Sequence, residues 1–491
     1  MSSVARFPSA NGYYIVMEKD ATTPAPGVYT GYTAEPRHLA APAPPASTIC
    51  PVPDSAGRRT HALPLVCAAA AGKAFFPLPE PRQLDIFPRL AGIYVHVPFC
   101  STKCHYCDFY SVADQLHRSG AYLEALDREF DLQTEHFGVP EPETIFIGGG
   151  TPTLLTPSHL ACLLEIVRRH LNTTRLVEFT VEANPNTFDA QRATVLKQAG
   201  VNRISFGAQS FIPEELVALQ REHSPEDVPR AVDFARAVGI TRINLDLIFG
   251  IPGQSLASLE TSLRRAVALN PEHLSCYNLI YEPNTPLAAR RTRGEITPLD
   301  EALELAMFRQ VQTMLTQHGF TRYEISNYAR AGAECQHNLH YWRGAFYLGF
   351  GPSAAGHHSG WRWKNSASLN RYTQALIRSV PCLPIASRER LTGWARWGEL
   401  AMLRLRLSSG LQYGPFQRQT GVDTRARLAG VRRKYEGLGL LNATPDALAL
   451  TDAAVPVSDT ILADVLAAFG AKDGSLCPAG ALQGESLTCR P

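Results

Sequence analysis

From Ile93 onward the chain alternates between two kinds of pattern. Short apolar, β-branched runs stand at IYVHV, TIFIGG, EFTVEA, RISFGA, INLDLIF and HLSCYNLI, and each is followed by a stretch patterned as a helix. Short apolar runs bounded by turn residues read as buried strands, and strands alternating with helices predict parallel pairing, because parallel neighbours need a crossover connection. Six such units predict an α/β fold, an incomplete TIM-like (β/α)6 barrel. Helix starts are legible at Thr156 before Pro157, at Ser224 before Pro225 with Asp227 completing a capping box, and at Ser255 before Leu256.

The pattern breaks at both ends of this core. Residues 1–88 are rich in Pro, Ala, Ser and Thr without helical or strand periodicity, and read as a disordered or low-complexity extension in which Cys50 and Cys67 carry no assigned chemistry. The core spans 89–325. Residues 326–388 turn aromatic, Gly-rich and His-rich, as in CQHNLHYW and YLGFGPSAAGHHSG, and read as a connecting segment of loops and short strands. ELAMLRLRL, ARLAGVRRKYEGLGLL and ALALT then predict a smaller, mainly helical C-terminal domain over 389–468, ending in a small hairpin. A disordered tail with Cys477 and Cys489 follows over 469–491.

Composition excludes more than it suggests. A net charge of +2 with 19% charged residues marks neither a nucleic-acid surface nor a site for acidic partners, and the basic residues of the C-terminal part are scattered rather than clustered. No apolar run approaches the ~18 residues that span a bilayer, so no membrane span is expected. Eleven cysteines without an evident secretory leader predict a reducing, cytoplasmic setting. The first twenty residues contain Glu18 and Asp20, which transit peptides avoid, and an organelle matrix is the alternative location only if the N-terminal extension is nevertheless a transit peptide.

Three of those cysteines carry the strongest chemical signal. Cys100, Cys104 and Cys107 sit in YVHVPFCSTKCHYCDF, directly after the first strand run, so three thiols converge in one loop. Structural zinc is usually closed by four ligands, and here a fourth would have to be His105 or His96. Three thiolates instead suit an iron-sulfur cluster with one open iron, with Phe99, Tyr106 and Phe109 shielding the sulfurs. Buried core cysteines are the alternative reading, and the polar neighbours Lys103 and His105 argue against it.

The C-x-x-x-C-x-x-C spacing resembles the signature of the radical S-adenosylmethionine (SAM) enzymes. His96, Pro98, Phe99 and the ending Cys107-Asp108-Phe109 further resemble the HemW haem chaperones and their relative, the oxygen-independent coproporphyrinogen III oxidase, over about Ile93 to Leu450. The resemblance implies that the incomplete barrel is a radical SAM barrel, that Cys100, Cys104 and Cys107 hold a [4Fe-4S] cluster, and that SAM binds its open iron. It also implies a low-potential electron donor.

Candidate ligand-binding residues fall where the predicted strands end, as barrel active sites do. The glycines of GGGTP allow close backbone approach to a ligand, Glu182 offers an acceptor-only carboxylate, and Gln209 with Ser210 follows the fourth run. Asp246, flanked by Leu245 and Leu247, is costly in a buried strand unless it serves a site or pairs with a basic group. By the resemblance, Tyr94, Tyr106, Gly149, Gly150, Thr151, Glu182, Gln209, Arg221 and Asp246 match SAM-contacting positions, and Ile280 matches more loosely.

HNLHYW, His337 to Trp342, resembles the HemW motif associated with haem, which makes His337 the expected haem-associated residue, with His340, His357 and His358 behind it. A lone histidine among aromatics is otherwise a hydrogen-bonded packing residue. The resulting expectation is a haem chaperone that hands haem to an unknown acceptor protein. The alternatives are the coproporphyrinogen oxidase, whose further cysteine two places after the third ligand is here Phe109, and a zinc-binding structural protein. No catalytic residue is assigned, and whether the chain is an enzyme stays open.

Overall fold

The computed structural model describes residues 90–470. All six apolar runs are strands: β1 (Leu90–Val97), β2 (Thr144–Gly149), β3 (Glu178–Ala183), β4 (Arg203–Gln209), β5 (Arg242–Phe249) and β6 (His273–Asn278). They lie side by side in chain order, each parallel to the next. The crossovers carry α1 (Ser119–Phe137), α2 (Pro157–Arg169), α3 (Ala190–Gln198), the pair α4 (Pro213–Ala218) and α5 (Asp227–Ala237), and α6 (Leu256–Ala268).

Alternation along each strand gives the sheet two unlike faces. Ile93, Val95, Ile145, Ile147, Phe179, Val181, Ile204 and Ile243 are buried on one of them. The registers Tyr94 to Phe146, Phe146 to Thr180 and Thr180 to Arg203 run across the other, more polar face. That polar face leads up to the site.

The sheet extends beyond the predicted six strands. β7 (Thr321–Arg322) and β8 (Asn327–Ala329) add antiparallel beyond β6. On the other side β9 (Phe346–Phe350) pairs parallel with β1, and β10 (Ala355–His358), β11 (Trp361–Asn365) and β12 (Ile385–Arg390) follow antiparallel. The result is one open, mixed sheet of twelve strands, an incomplete barrel. Residues 326–388, read from sequence as loops and short strands, do hold short strands, and these join the main sheet instead of merely connecting two domains. FYLGF is buried at all five positions, as a strand covered on both faces should be, and it shields the edge that β1 would otherwise expose.

Thr156 and Ser255 cap α2 and α6 as expected, Ser255 within a full capping box. Ser224 does not cap α5. Its backbone N–H and hydroxyl both donate to Asp227, at 2.6 and 2.9 Å, and the helix starts only at Asp227. Pro225 sits in that turn, ahead of the helix.

Helices α7 (Pro286–Thr292), α8 (Glu301–Gln317), α9 (Gln336–Trp342) and α10 (Leu369–Leu376) lead to a mainly helical C-terminal part. It contains α11 (Gly393–Leu405), α12 (Tyr413–Thr420), α13 (Thr424–Arg427), α14 (Ala429–Glu436) and α15 (Ser458–Gly470). A small antiparallel sheet of β13 (Leu411–Gln412), β14 (Leu441–Ala443) and β15 (Ala447–Leu450) accompanies them.

The expected absence of any membrane-length apolar stretch needs correcting, because Asp452–Gly470 is long and apolar enough by length and composition to cross a bilayer. Its apolar side packs into the fold and its other side is exposed. Ile461, Leu462, Val465 and Phe469 are buried, Phe469 lies 6.2 Å from the Trp394 ring of α11, and Asp464 pairs with Lys434 and Tyr435.

Candidate functional site

The cysteine loop leaves the end of β1 and is tied at its base. Phe99–Cys100 bridges in parallel to Val112–Ala113, and the Val112 N–H donates to the Pro98 carbonyl at 2.7 Å. Phe99 is fully buried, edge-on to Tyr122 at 5.5 Å, and the Cys107 N–H closes a turn on the Cys104 carbonyl at 3.2 Å. Burial, with the neighbouring Cys104 and Cys100, pushes the Cys107 thiol up to about 12, and burial raises Cys100 as well. Thiols that hinder one another's ionisation are close in space, and they become good ligands once a metal supplies the compensating charge.

This donor set fits an iron-sulfur cluster. Among the described residues no group of three ligating side chains is arranged to hold a single metal ion, whereas cluster ligands grip different corners. The zinc reading also loses a ligand. His96 has Nδ1 on the Tyr94 hydroxyl at 3.0 Å and Nε2 on the Tyr110 carbonyl at 2.7 Å, so both ring nitrogens are engaged.

The glycine stretch at the end of β2 packs directly beneath this loop. Gly149 has φ +108°, and a Cβ there would lie 2.5 Å from the His96 ring, so only glycine fits. The N–H groups are all engaged: Gly149 donates to Glu182 Oε2 at 3.0 Å, Gly150 to Val97 O and Thr151 to Phe99 O, both at 2.7 Å. What the stretch can offer a ligand is therefore carbonyl oxygen, which suits an ammonium group. The Thr151 hydroxyl faces Cys100 Sγ at 3.9 Å.

Two carboxylates share the polar face of the sheet. Glu182, on β3, is pushed up to about 8 by burial and by the nearby Asp246, with the Gly149 N–H opposing. Asp246, on β5, is raised by burial, while Ser205 donates to it at 3.1 Å and Asn244 at 2.8 Å. The structure thus gives Asp246 partners without a direct ion pair. Ser205 and Asn244 were not singled out from sequence, although Asn244, two residues before Asp246, lies on the same strand face by the period of two.

Gln209 holds a left-handed φ of +62° at a register shift in β4, a strained setting of the kind that collects at ligand sites. Arg221 reaches back across the strand ends. Its Nη1 donates to Cys104 Sγ at 3.5 Å, and its Nη2 donates to Asn184 Oδ1 at 2.8 Å and to Gly207 O at 2.7 Å. Asn184 is a third residue that sequence reasoning missed, and it stands two places after Glu182. Tyr94 stacks on Phe146 at 6.2 Å, and Tyr106 packs against the cluster of Leu219, Ile248, Ile251, Leu279 and Leu287. Ile280 stands apart from that cluster, 47% exposed, while its neighbour Leu279 is buried in it.

HNLHYW is helix α9, not a loop, and it docks at the opposite end of the strands. Glu178, the first residue of β3, accepts from the N–H groups of Gln336 and His337 at 3.0 and 3.1 Å, and from the Cys335 thiol at 3.3 Å. His337 is buried, with Nδ1 on Thr144 Oγ1 at 2.7 Å and Nε2 on the Tyr341 hydroxyl at 3.0 Å. Burial holds its pKa well below the usual imidazole value. As folded, then, His337 presents no free ring nitrogen to a haem iron, and the geometry is that of the hydrogen-bonded packing residue. His340 lies 3.6 Å from Glu143, and His357 Nδ1 is 3.3 Å from Ala345 O. His358 has Nδ1 3.0 Å from the Ser359 hydroxyl, and it lines a cavity of about 380 Å³ with Phe137, Pro140, Leu348 and Arg175.

Comparison with known proteins matches both halves of this architecture. The radical SAM superfamily model covers residues 94–266, and the HemN C-terminal domain model covers residues 391–457. The chain is 37% identical over 363 residues to a Bacillus subtilis protein named heme chaperone HemW, covering 74% of this chain and 95% of that one. A Mycobacterium tuberculosis protein of the same name is 38% identical over 378 residues, covering 76% and 94%. The Escherichia coli protein of that name is 43% identical over 268 residues, 54% of this chain and 69% of the relative. Among solved structures, the coproporphyrinogen III oxidase HemN from Escherichia coli, described as a radical SAM enzyme, superposes with a TM-score of 0.68 at 24% identity. That match covers 79% of this chain and 91% of the other, and it shows the shared fold.

Proposed function

This chain belongs to the HemW family within the radical SAM superfamily, and from that premise we propose that it is a haem chaperone, binding haem and passing it to an acceptor protein while carrying a [4Fe-4S] cluster and SAM. The observation that carries the reading is the match along 95% of a relative bearing that name. Phe109 supports it against the oxidase, whose further cysteine would stand at that place.

In this reading Cys100, Cys104 and Cys107 would hold the cluster, whose chemistry when bound would be one-electron reduction of a sulfonium nucleotide, with a low-potential donor as the electron source. The chain's own residues orient that nucleotide. Carbonyl oxygens of Gly149, Gly150 and Thr151 would accept from its ammonium group, with the Glu182 carboxyl beside them adding charge once ionised. Asp246, oriented by Ser205 and Asn244, accepts from ribose hydroxyls. Tyr94, Tyr106, Gln209, Arg221 and Ile280 complete the contacts that the resemblance implies. For the haem we favour the cavity lined by His358, because its ring nitrogen distinct from the one on Ser359 is of the kind that ligates iron, with Phe137 and Leu348 beside it and Arg175 to meet a propionate.

Anaerobic reconstitution, followed by haem titration and a coproporphyrinogen III assay on the same sample, tests the proposal. A haem absorption band without turnover is the expected result. Steady conversion to protoporphyrinogen IX, or no haem band, overturns it.

A further inference from the structure

The connection between α4 and α5 grips the cysteine loop at two points. Ser101 Oγ donates to Glu222 Oε2 at 2.5 Å, and the neighbouring Arg221 donates from Nη1 to Cys104 Sγ at 3.5 Å. The position of that guanidinium is set from below. Nη2 is divided between the Asn184 side-chain oxygen, at 2.8 Å, and the Gly207 carbonyl, at 2.7 Å, and a Cβ on Gly207 would come within 3.2 Å of it. The fork geometry of arginine makes this possible, one nitrogen turned to the sulfur and another to the two oxygens. Its partners are a sulfur and two neutral oxygens rather than a carboxylate, so its positive charge is not cancelled locally. The buried Nε has no partner, which leaves the side chain anchored through its tip.

We propose that Arg221 sets the reduction potential of the cluster bound through Cys104, and that Asn184 is the positioning residue that aims it. This rests on the cluster assignment above and on nothing concerning haem. One-electron reduction adds one negative charge to the cluster and its sulfur ligands, with no bond made or broken in the protein. A cation donating to a ligand sulfur stabilises the reduced form more than the oxidised one, and so raises the potential. Removed from bulk water, that charge is weakly screened.

The test is a redox titration followed by electron paramagnetic resonance, on the full chain reconstituted without oxygen and without nucleotide, with dithionite as the one-electron donor. Iron and sulfide are measured on every sample. Arg221→Gln is expected to move the midpoint to more negative potential, and Arg221→Lys, which keeps charge but lacks the fork, to move it less. Asn184→Asp adds a carboxylate against the guanidinium and is expected to shift the midpoint the same way at unchanged cluster content. A merely structural role for Asn184 would alter cluster content or thermal stability and leave the midpoint of the intact fraction alone. Wild-type midpoints in Arg221→Gln and Asn184→Asp with full iron and sulfide overturn the proposal. If Arg221→Gln cannot hold the cluster, Asn184→Asp alone decides. A wild-type chain that takes up no iron or sulfide defeats the cluster assignment itself, an outcome distinct from an unchanged potential.

Discussion

Thr144 and His337 stand 193 positions apart in the chain and meet at 2.7 Å, Oγ1 to Nδ1, where β2 begins. From that contact a column of side chains runs up the polar face of the sheet. The His337 ring stacks on Phe146 at 5.2 Å, Phe146 stacks on Tyr94, and the Tyr94 hydroxyl meets His96 beneath the cysteine loop. Helix α9 therefore plugs the start of the strands, and the cysteine loop crowns their ends.

His337→Ala should cost about 2–4 kcal/mol of stability, since it opens a cavity beside Phe146 and strips two hydroxyls of their partner. Thermal unfolding of the variant checks this, and its haem band should persist. A lost band at an unchanged unfolding temperature would make His337 the iron ligand after all. The same ring contributes to acid sensitivity. His96, His273, His337 and His357 all have folded-state pKa values depressed by burial, His96 to about 4. The unfolded chain takes up protons at these rings below about 6.5 while the folded one does not, so stability is expected to fall as pH drops below that value.

Replacing any one of Cys100, Cys104 or Cys107 by Ala should abolish the cluster, because two thiolates do not hold a site that normally needs more. Cys276→Ala, a buried thiol on β6, should retain it. Iron and acid-labile sulfide per chain give the answer, and a full complement in Cys104→Ala would sink the ligand assignment.

Glu182 makes nucleotide binding depend on pH. With its pKa raised to about 8 by burial and Asp246, its carboxyl is neutral at pH 7 and charged above about 8. A cationic ligand prefers the charged form. Affinity for SAM in an anaerobic titration should therefore rise by up to about tenfold per pH unit toward pH 8 and level off above it. Glu182→Gln should bind about tenfold more weakly at pH 8 and lose this dependence. An identical pH profile in the variant would return Glu182 to a structural role.

Local signals were legible wherever they were strong. IYVHV, TIFIGG and the other apolar runs are strands because nothing but a sheet covered by helices buries so many β-branched residues at once. The cysteine spacing, Gly149 and the Ser255 cap each depend on a few neighbouring residues. Asp246 was visible as an anomaly, a carboxylate inside an apolar run, and Asn244 stands two places before it on the same strand, but Ser205 lies on β4 and could be matched only through the register.

HNLHYW shows the other side. Its aromatic and imidazole groups look alike from sequence whether they face a ligand or a core, and α9 is too short for its own periodicity to declare it a helix. What organises it is Glu178, 158 positions from Gln336, receiving the first N–H groups of the helix. The short strands after Gly344 were expected, but their place in the main sheet was not legible, because it depends on pairing with the edge of β1, far earlier in the chain.

The sequence alone determined the alternation of strand and helix, the parallel order it demands and the convergence of three thiols after the first strand, since all of these follow from covalent neighbours and backbone periods. Tertiary structure decided which end of the strands each motif occupies, which hydrogen-bond partners the buried His337, Glu182 and Asp246 receive, and that Arg221, 117 positions away, would reach Cys104. Those outcomes depend on register and crossover packing, through which side chains far apart in the chain desolvate and pair with one another.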